Sequence, residues 1–344
     1  MTTSPTQSPS PVSQKNARWG SSAEDFSAFL GTMGPIAGLF FVVASFAVLE
    51  PRTFLTLDNF QIILLNTAVV GTAALGATVI IISGGIDLSV GSNIALCTVV
   101  IALCRLHGLS PTAAALLGIA AGACVGLVIG TLVTWFNISS FIVTLGLWGA
   151  VRGLAKRLAG GSEISTPRSW ISHLLQMLPP GQRWMLLPPG VWLLLVLSLL
   201  VAGVLRYTRF GRRVFAIGSN EQTARLCGVP VARTKLMIFI FATVFAGIAG
   251  VLQFSYLNNL GDPTTASGYE LNVIAAVVIG GASLSGGKGN VFGTLVGALL
   301  MTVVGNGCSK VPRLTNADQD IVTGAIIVAA AAFDQFRQSR ARAK

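Results

Sequence analysis

Charge is what this chain has least of. Asp, Glu, Lys and Arg make up 10% of its 344 residues, against about 25% in a typical soluble domain. Even a large soluble core needs a polar shell, so a water-soluble globular fold is excluded. Acidic residues are scarcest, 12 in all, and Asp87 and Glu270 alone lie clearly inside or at the edge of apolar segments. No G-x-S-x-G, H-E-x-x-H or paired carboxylate occurs, so no catalytic residue is assigned. His107 and His173 have no metal-ligand partner at useful spacing, and the five cysteines form no C-x-x-C pair. No metal site follows from them. Cys97, Cys104, Cys124, Cys227 and Cys308 read instead as small buried packing residues. The GGKG run at 286–289 fails as a phosphate loop, because the first glycine of that motif falls on Ala282 and its hydroxyl residue on Gly289.

Apolar sequence is abundant: 53% of residues are hydrophobic and the mean hydropathy is +0.74. Disorder is excluded by the same numbers, and 39 glycines suit close helix packing in lipid. The fold class expected is all-α, a polytopic integral membrane protein of about ten spans, each needing about 20 apolar residues. The apolar runs fall at about 35–49, 60–82, 89–104, 112–136, 138–158, 188–205, 236–257, 270–282, 291–306 and 319–335. The first ends without small residues before a cut site and reads as an uncleaved span. The run at 270–282 is too short to cross comfortably, and a broken or re-entrant segment is expected there. Residues 1–30, rich in Ser, Thr, Pro and Gln, read as a disordered tail. Residues 31–336 form the membrane domain and 337–344 a basic C-terminal tail.

An even number of spans puts both termini on one side, and charge selects which. With cytoplasmic termini, 14 basic residues lie inside, in the tails, the 206–235 loop and Lys288, and nine lie outside, as the positive-inside rule favours. Five of the nine fall in the long 152–187 segment, where the rule weakens. The net charge of +11 therefore describes membrane topology. No stretch builds a water-exposed basic face for nucleic acid.

GGIDLSVG at 84–91 and GGASLSGG at 280–287 share five of eight positions at an offset of 196. Paired glycine-interrupted segments can mark a transport path, although Gly-Gly and Leu-Ser also recur by chance in so glycine-rich a chain. Asp87 fits two roles: a helix cap supplying bonds that lipid cannot, or a polar group lining a permeation path. In the 206–235 loop, Asn220 or Ser219 can cap a short helix running to about Leu226. Glu221 would lie in its first turn, with Gly228 as stop and Pro230 against continuation. A capped helix in a basic loop suits docking into a partner's groove; a lipid anchor needs neither cap nor stop.

These residues carry a resemblance. Glu221, Ala224 and Gly228 resemble the E-A-A-x3-G coupling motif of bacterial ABC importer permeases. GGIDLSVGS at 84–92, FIVTLG at 141–146, RFGRRVFAIG at 209–218, GYEL at 268–271, IAAVVIGG at 274–281 and LSGG at 284–287 are together similar to permeases of the ribose/xylose/arabinose/galactose type. Thr223, Asn272 and Ala282 depart from the usual Ala, Asp and Thr of that pattern, and Asn272 removes a carboxylate from the expected path. The resemblance implies a type II importer-like bundle in the bacterial inner membrane, without cofactor or covalent chemistry. It would pair with a second permease copy or paralogue, a separate ATPase subunit and a periplasmic binding protein delivering a monosaccharide. It assigns the pathway to Asp87, Ser89, Asn93, Glu270 and Asn272, ATPase coupling to Arg213, Asn220, Glu221, Ala224 and Gly228, and binding-protein docking to Arg152, Arg157 and Arg168. The rivals are an ion-coupled secondary transporter, for which Asp87 and Glu270 would be the coupling carboxylates, and an ABC permease for a nucleoside or branched-chain amino acid. A membrane enzyme lacks a catalytic constellation.

Overall fold

The structure, a computed structural model, describes residues 19–178, 185–312 and 314–342. Its helices are α1 (Trp19–Leu49), α2 (Pro51–Phe54), α3 (Leu57–Ile82), α4 (Val90–Leu106), α5 (Pro111–Trp135), α6 (Ser140–Leu158), α7 (Pro189–Tyr207), α8 (Arg209–Ser219), α9 (Glu221–Leu226), α10 (Val231–Tyr256), α11 (Tyr269–Ile279), α12 (Val291–Lys310) and α13 (Asn316–Arg342). All ten expected apolar runs fall on helices. Caps start several of them: Thr56 Oγ1 accepts from Asn59 N–H, Ser110 Oγ from Ala113 N–H ahead of Pro111, and Asn290 Oδ1 from Gly293 N–H. Among the described residues, α3, α5, α7, α10 and α12 are long and apolar enough to span a bilayer, and Gly34–Leu49, α4 and α11 are shorter apolar helices. At 11 residues, α11 rises only about 16 Å, about half a bilayer core. Of the expected N-terminal tail, residues 1–18 lie outside the described residues, and the chain is helical from Trp19. At the other end, with no glycine or proline to stop it, α13 continues to Arg342 through most of the expected C-terminal tail.

Helix α3 is the hub. It is apolar on every face, as a helix surrounded by others must be, and small side chains such as Ala68, Gly71, Ala74 and Ala77 bring its neighbours close. Its buried threonines return their hydroxyls to the carbonyl four residues back: Thr67 to Ile63, Thr72 to Ala68 and Thr78 to Ala74, each at 2.7 Å. Two of them also meet α12, with Thr67 and Thr302 Oγ1 atoms 2.6 Å apart and those of Thr78 and Thr294 2.8 Å apart. Polar links of this kind hold membrane helices where no hydrophobic force between them exists.

A second seam joins α5 to its neighbours through Gly118, Gly122, Gly126 and Gly130, spaced four apart on one face. A Cβ on Gly122 would come within 2.9 Å of Thr243 O and 3.3 Å of Gly247 Cα on α10, and one on Gly126 would collide with Thr243 Oγ1. Gly118 faces Ile101 of α4 instead. The outer faces show bare hydrophobic side chains, among them Phe40 and Phe41 of α1, Leu116 of α5 and Leu199 of α7. Apolar surface on this scale belongs against lipid. Of the five cysteines, Cys97 and Cys308 are buried as expected, but Cys124 and Cys227 are exposed.

The two ends of the bundle differ. At one, strand β1 (Ile164–Ser165) pairs antiparallel with β2 (Leu260–Gly261), a small addition to the all-α expectation. Here Thr166 N–H and Oγ1 donate to Asn259 O, Asn259 Nδ2 donates to Pro167 O, and Leu175 N–H donates to Ser255 Oγ. At the opposite end lie α8, α9 and both glycine breaks.

Candidate functional site

The loop between α7 and α10 folds as two helices where the sequence suggests one. Thr208 Oγ1 accepts from Gly211 N–H to start α8, which buries Gly211, Val214 and Ile217, three residues apart, on one face. Asn220 Oδ1 accepts from Thr223 N–H to start α9, as expected from its position. Glu221 forms an ion pair of 2.6 Å with Lys235 of α10 and a longer one of 3.4 Å with Arg225. Ala224 is buried with Ile217 and Val231, so this residue fastens α9 to α8 and α10. Gly228 has φ +78 with nothing near its Cβ position, the left-handed stop that the sequence suggests. Arg225 and Leu226 face outward, Leu226 at 88% exposure, and Arg213 is half-buried on α8.

The two glycine breaks meet beside α8. Gly287 N–H donates to Ile82 O at 2.8 Å, and a Cβ on Gly218 of α8 would collide with that same carbonyl and lie 2.6 Å from Gly287 N. Three backbones therefore touch without intervening side chains: the end of α3, the 280–290 loop and the end of α8. The helix stops correspond at Gly84 (φ +82) and Gly281 (φ +92). In each, the left-handed residue bonds three back and its successor five back, Gly84 to Ile81 and Gly85 to Ile80, Gly281 to Val278 and Ala282 to Val277. The structural offset is 197, one more than the sequence echo.

The expected pathway residues separate into three places. Asp87 and Ser89 are buried in the first break, where Asp87 Oδ1 accepts from Ser89 N–H at 2.7 Å and from Ser89 Oγ at 2.6 Å. This is a local turn leading into α4. Glu270 belongs to a buried polar cluster towards the β-strand end, and Asn93 is buried on α4 next to Ser92 of that cluster. Trp148 Nε1 donates to Glu270 Oε1 at 3.1 Å, Ser92 Oγ donates to Trp148 O, and Gln253 Nε2 donates to Thr265 Oγ1. Arg152 joins the cluster: its Nη1 donates to Thr265 O at 2.6 Å and Pro263 O at 3.0 Å. Glu270 Oε2, Asn93 Nδ2 and Gln253 Oε1 are buried without partners. Arg152 is thus set apart from Arg157 and Arg168, which are exposed at the β-strand end.

Asn272 lines a third place, a polar cavity of about 260 Å³ at the β-strand end of α3, α10, α11, α12 and α13. Asn66, Tyr256, Tyr269, Asn306 and Gln319 also line it, and no lining residue is charged. Asn66 Nδ2 donates to Tyr256 OH at 3.4 Å, and Asn306 Oδ1 is buried without a partner. Sequence reasoning passed over Asn66, Asn306, Trp148 and Gln253, although an isolated amide inside an apolar run is a usable signal.

Apolar helices faced for lipid, polar groups gathered within them and a capped element projecting at one end define a polytopic membrane permease. The chain belongs to the family described as the permease component of the branched-chain amino acid transport system, whose model matches residues 59–331. The probable ABC transporter permease protein YphD of Escherichia coli (strain K12) is 36% identical over 301 residues, covering 88% of this chain and 87% of the relative. The ribose import permease protein RbsC of the same strain is 35% identical over 314 residues, covering 90% and 96%. The L-arabinose ABC transporter permease protein AraH of Azospirillum brasilense is 35% identical over 312 residues, covering 90% and 89%. The resemblance read from the motifs is borne out.

Proposed function

We propose that the chain is the membrane-spanning subunit of an ATP-binding-cassette importer, carrying a monosaccharide across a bacterial inner membrane. The α8–α9 end faces the cytoplasm with both termini, and the β-strand end faces the periplasm. The chain makes no covalent chemistry. A second permease copy or paralogue completes the path, a separate ATPase supplies the energy, and a periplasmic binding protein delivers the sugar. The observation that carries the reading is α9: a capped, glycine-stopped helix with Arg225 and Leu226 bare, fastened through Ala224 to α8, which itself abuts the end of α3. Such an element converts movement of a docked partner into movement of membrane helices. The relatives that carry ribose and arabinose in their names support the substrate class.

Proteoliposomes holding the chain with its ATPase and binding protein should take up ribose or arabinose only with ATP enclosed on the ATPase side. Uptake driven by a proton or sodium gradient without ATP overturns the proposal. Exposed Arg157 and Arg168 fit docking of an acidic binding-protein surface. Reversing both to Glu should slow association at low salt, and the difference should shrink as salt rises. An unchanged association rate removes them from that contact.

A further inference from the structure

We propose that the cavity lined by Asn66, Asn272 and Asn306 is a subsite for a single neutral sugar ring, occupied after release from the binding protein. The inference rests on the importer reading and adds a place and a chemistry to it. Its position is the first argument. The lining residues fall at the start of α3, α11 and α13 and at the end of α10 and α12, so the cavity lies at the β-strand end, where the solute would enter.

The lining is the second argument. Carboxamides offer donors and acceptors side by side, matching hydroxyls that both donate and accept. Asn306 Oδ1 is buried without a partner, and a turn of the side chain would offer this unused acceptor to a sugar hydroxyl. Tyr256 and Tyr269 add flat apolar surface with a polar tip. With no charge in the lining, the carboxylate and ammonium of an amino acid would both be left without a charged partner. The size also selects, since 260 Å³ lies just below the span of about 300–1,000 Å³ usual for ligand pockets. A volume of this size accommodates one sugar ring. Binding here should be weak, because a transport site must also release.

The test uses the whole importer carrying Asn272→Cys, with a water-soluble maleimide and mass spectrometry of the peptide containing position 272. Ribose or arabinose should slow labelling at least threefold at saturation, whereas leucine at equal concentration should not. Labelling indifferent to the sugar, or a position 272 that never labels, overturns the subsite. A second variant, Asn306→Leu, should cut sugar uptake about tenfold, the scale of one lost hydrogen bond to the solute. Its thermal midpoint in detergent and its co-purification with the ATPase should match the parent. A lowered midpoint or a lost ATPase alongside the lost uptake would mark Asn306 as structural and overturn its role. Failure of the unmodified importer to take up any sugar with ATP would instead remove the importer reading itself.

Discussion

The two ends of the bundle lean on different kinds of tie. At the β-strand end, the short β1–β2 ladder is supplemented by several side chains on backbone: Arg152 on the carbonyls of Pro263 and Thr265, Asn259 on Pro167, Thr166 on Asn259. At the α8–α9 end, backbone meets backbone, with Gly218, Ile82 and Gly287 in direct contact. A side-chain tie can be released singly, at about the energy of one or two hydrogen bonds. Close-packed backbones have no rotamer to change, so one element cannot shift without displacing the next. The first arrangement suits an end that must open to admit a solute, the second an end that passes on a displacement.

The comparison breaks most sharply at Gly218. Gly218→Val would drive its side chain into Ile82 O and Gly287 N. Overpacking of that kind costs about 3 kcal/mol. Thermal unfolding in detergent should show a clear loss of stability and uptake should vanish. A variant with the parental midpoint and full uptake would mean that the three backbones do not act as one unit.

At the other end, Arg152→Ala deletes two hydrogen bonds from a cationic donor and should cost about 2 kcal/mol. The effect should be local. Proteolysis and hydrogen exchange should rise in the 259–268 loop while protection of α8 and α9 stays at the parental level. Loosening of both ends together would mean that the two ends are not independent.

Much of this contrast lay beyond the reach of sequence patterns. The ten apolar helices follow from length and hydropathy, and α9 from Asn220, Gly228 and Pro230, because caps and stops act within a few residues. The spacing of Gly211, Val214 and Ile217 behind Thr208 marks α8 equally well and was readable. The glycine echo was visible but misaligned by one residue, since shared letters do not fix which glycine turns left-handed. Arg152 and Thr265 stand 113 residues apart, and the cavity draws its lining from five helices. No local pattern specifies such meetings; helix packing does.

Gly228→Asp sharpens the α8–α9 half of the comparison. The position is open, so the cost is the left-handed backbone alone, about 1 kcal/mol, with a charge added near the negative end of the helix dipole. Membrane levels should match the parent, while co-purification of the ATPase weakens and uptake falls. Glu221→Lys, which loses the Lys235 pair, should weaken the same contact. Full transport by Gly228→Asp, or its failure to insert, would remove the loop from the proposed coupling role.

The smallest effect is expected at Asp87, a side-chain tie in the first glycine break. Its Oδ1 accepts two bonds from Ser89, and Asp87→Asn keeps an oxygen in that place. What changes is charge: a carboxylate bond is worth about 1 kcal/mol more than a neutral one. If the residue only shapes the turn into α4, Asp87→Asn should retain uptake within about twofold and Asp87→Ala should lose more, since removing both acceptor oxygens leaves Ser89 N–H buried and unpaired. If the negative charge itself serves the passing solute, the Asn variant should fold, dock the ATPase and yet fail to transport. Uptake measured beside ATPase co-purification separates the two, and the geometry around Ser89 favours the turn.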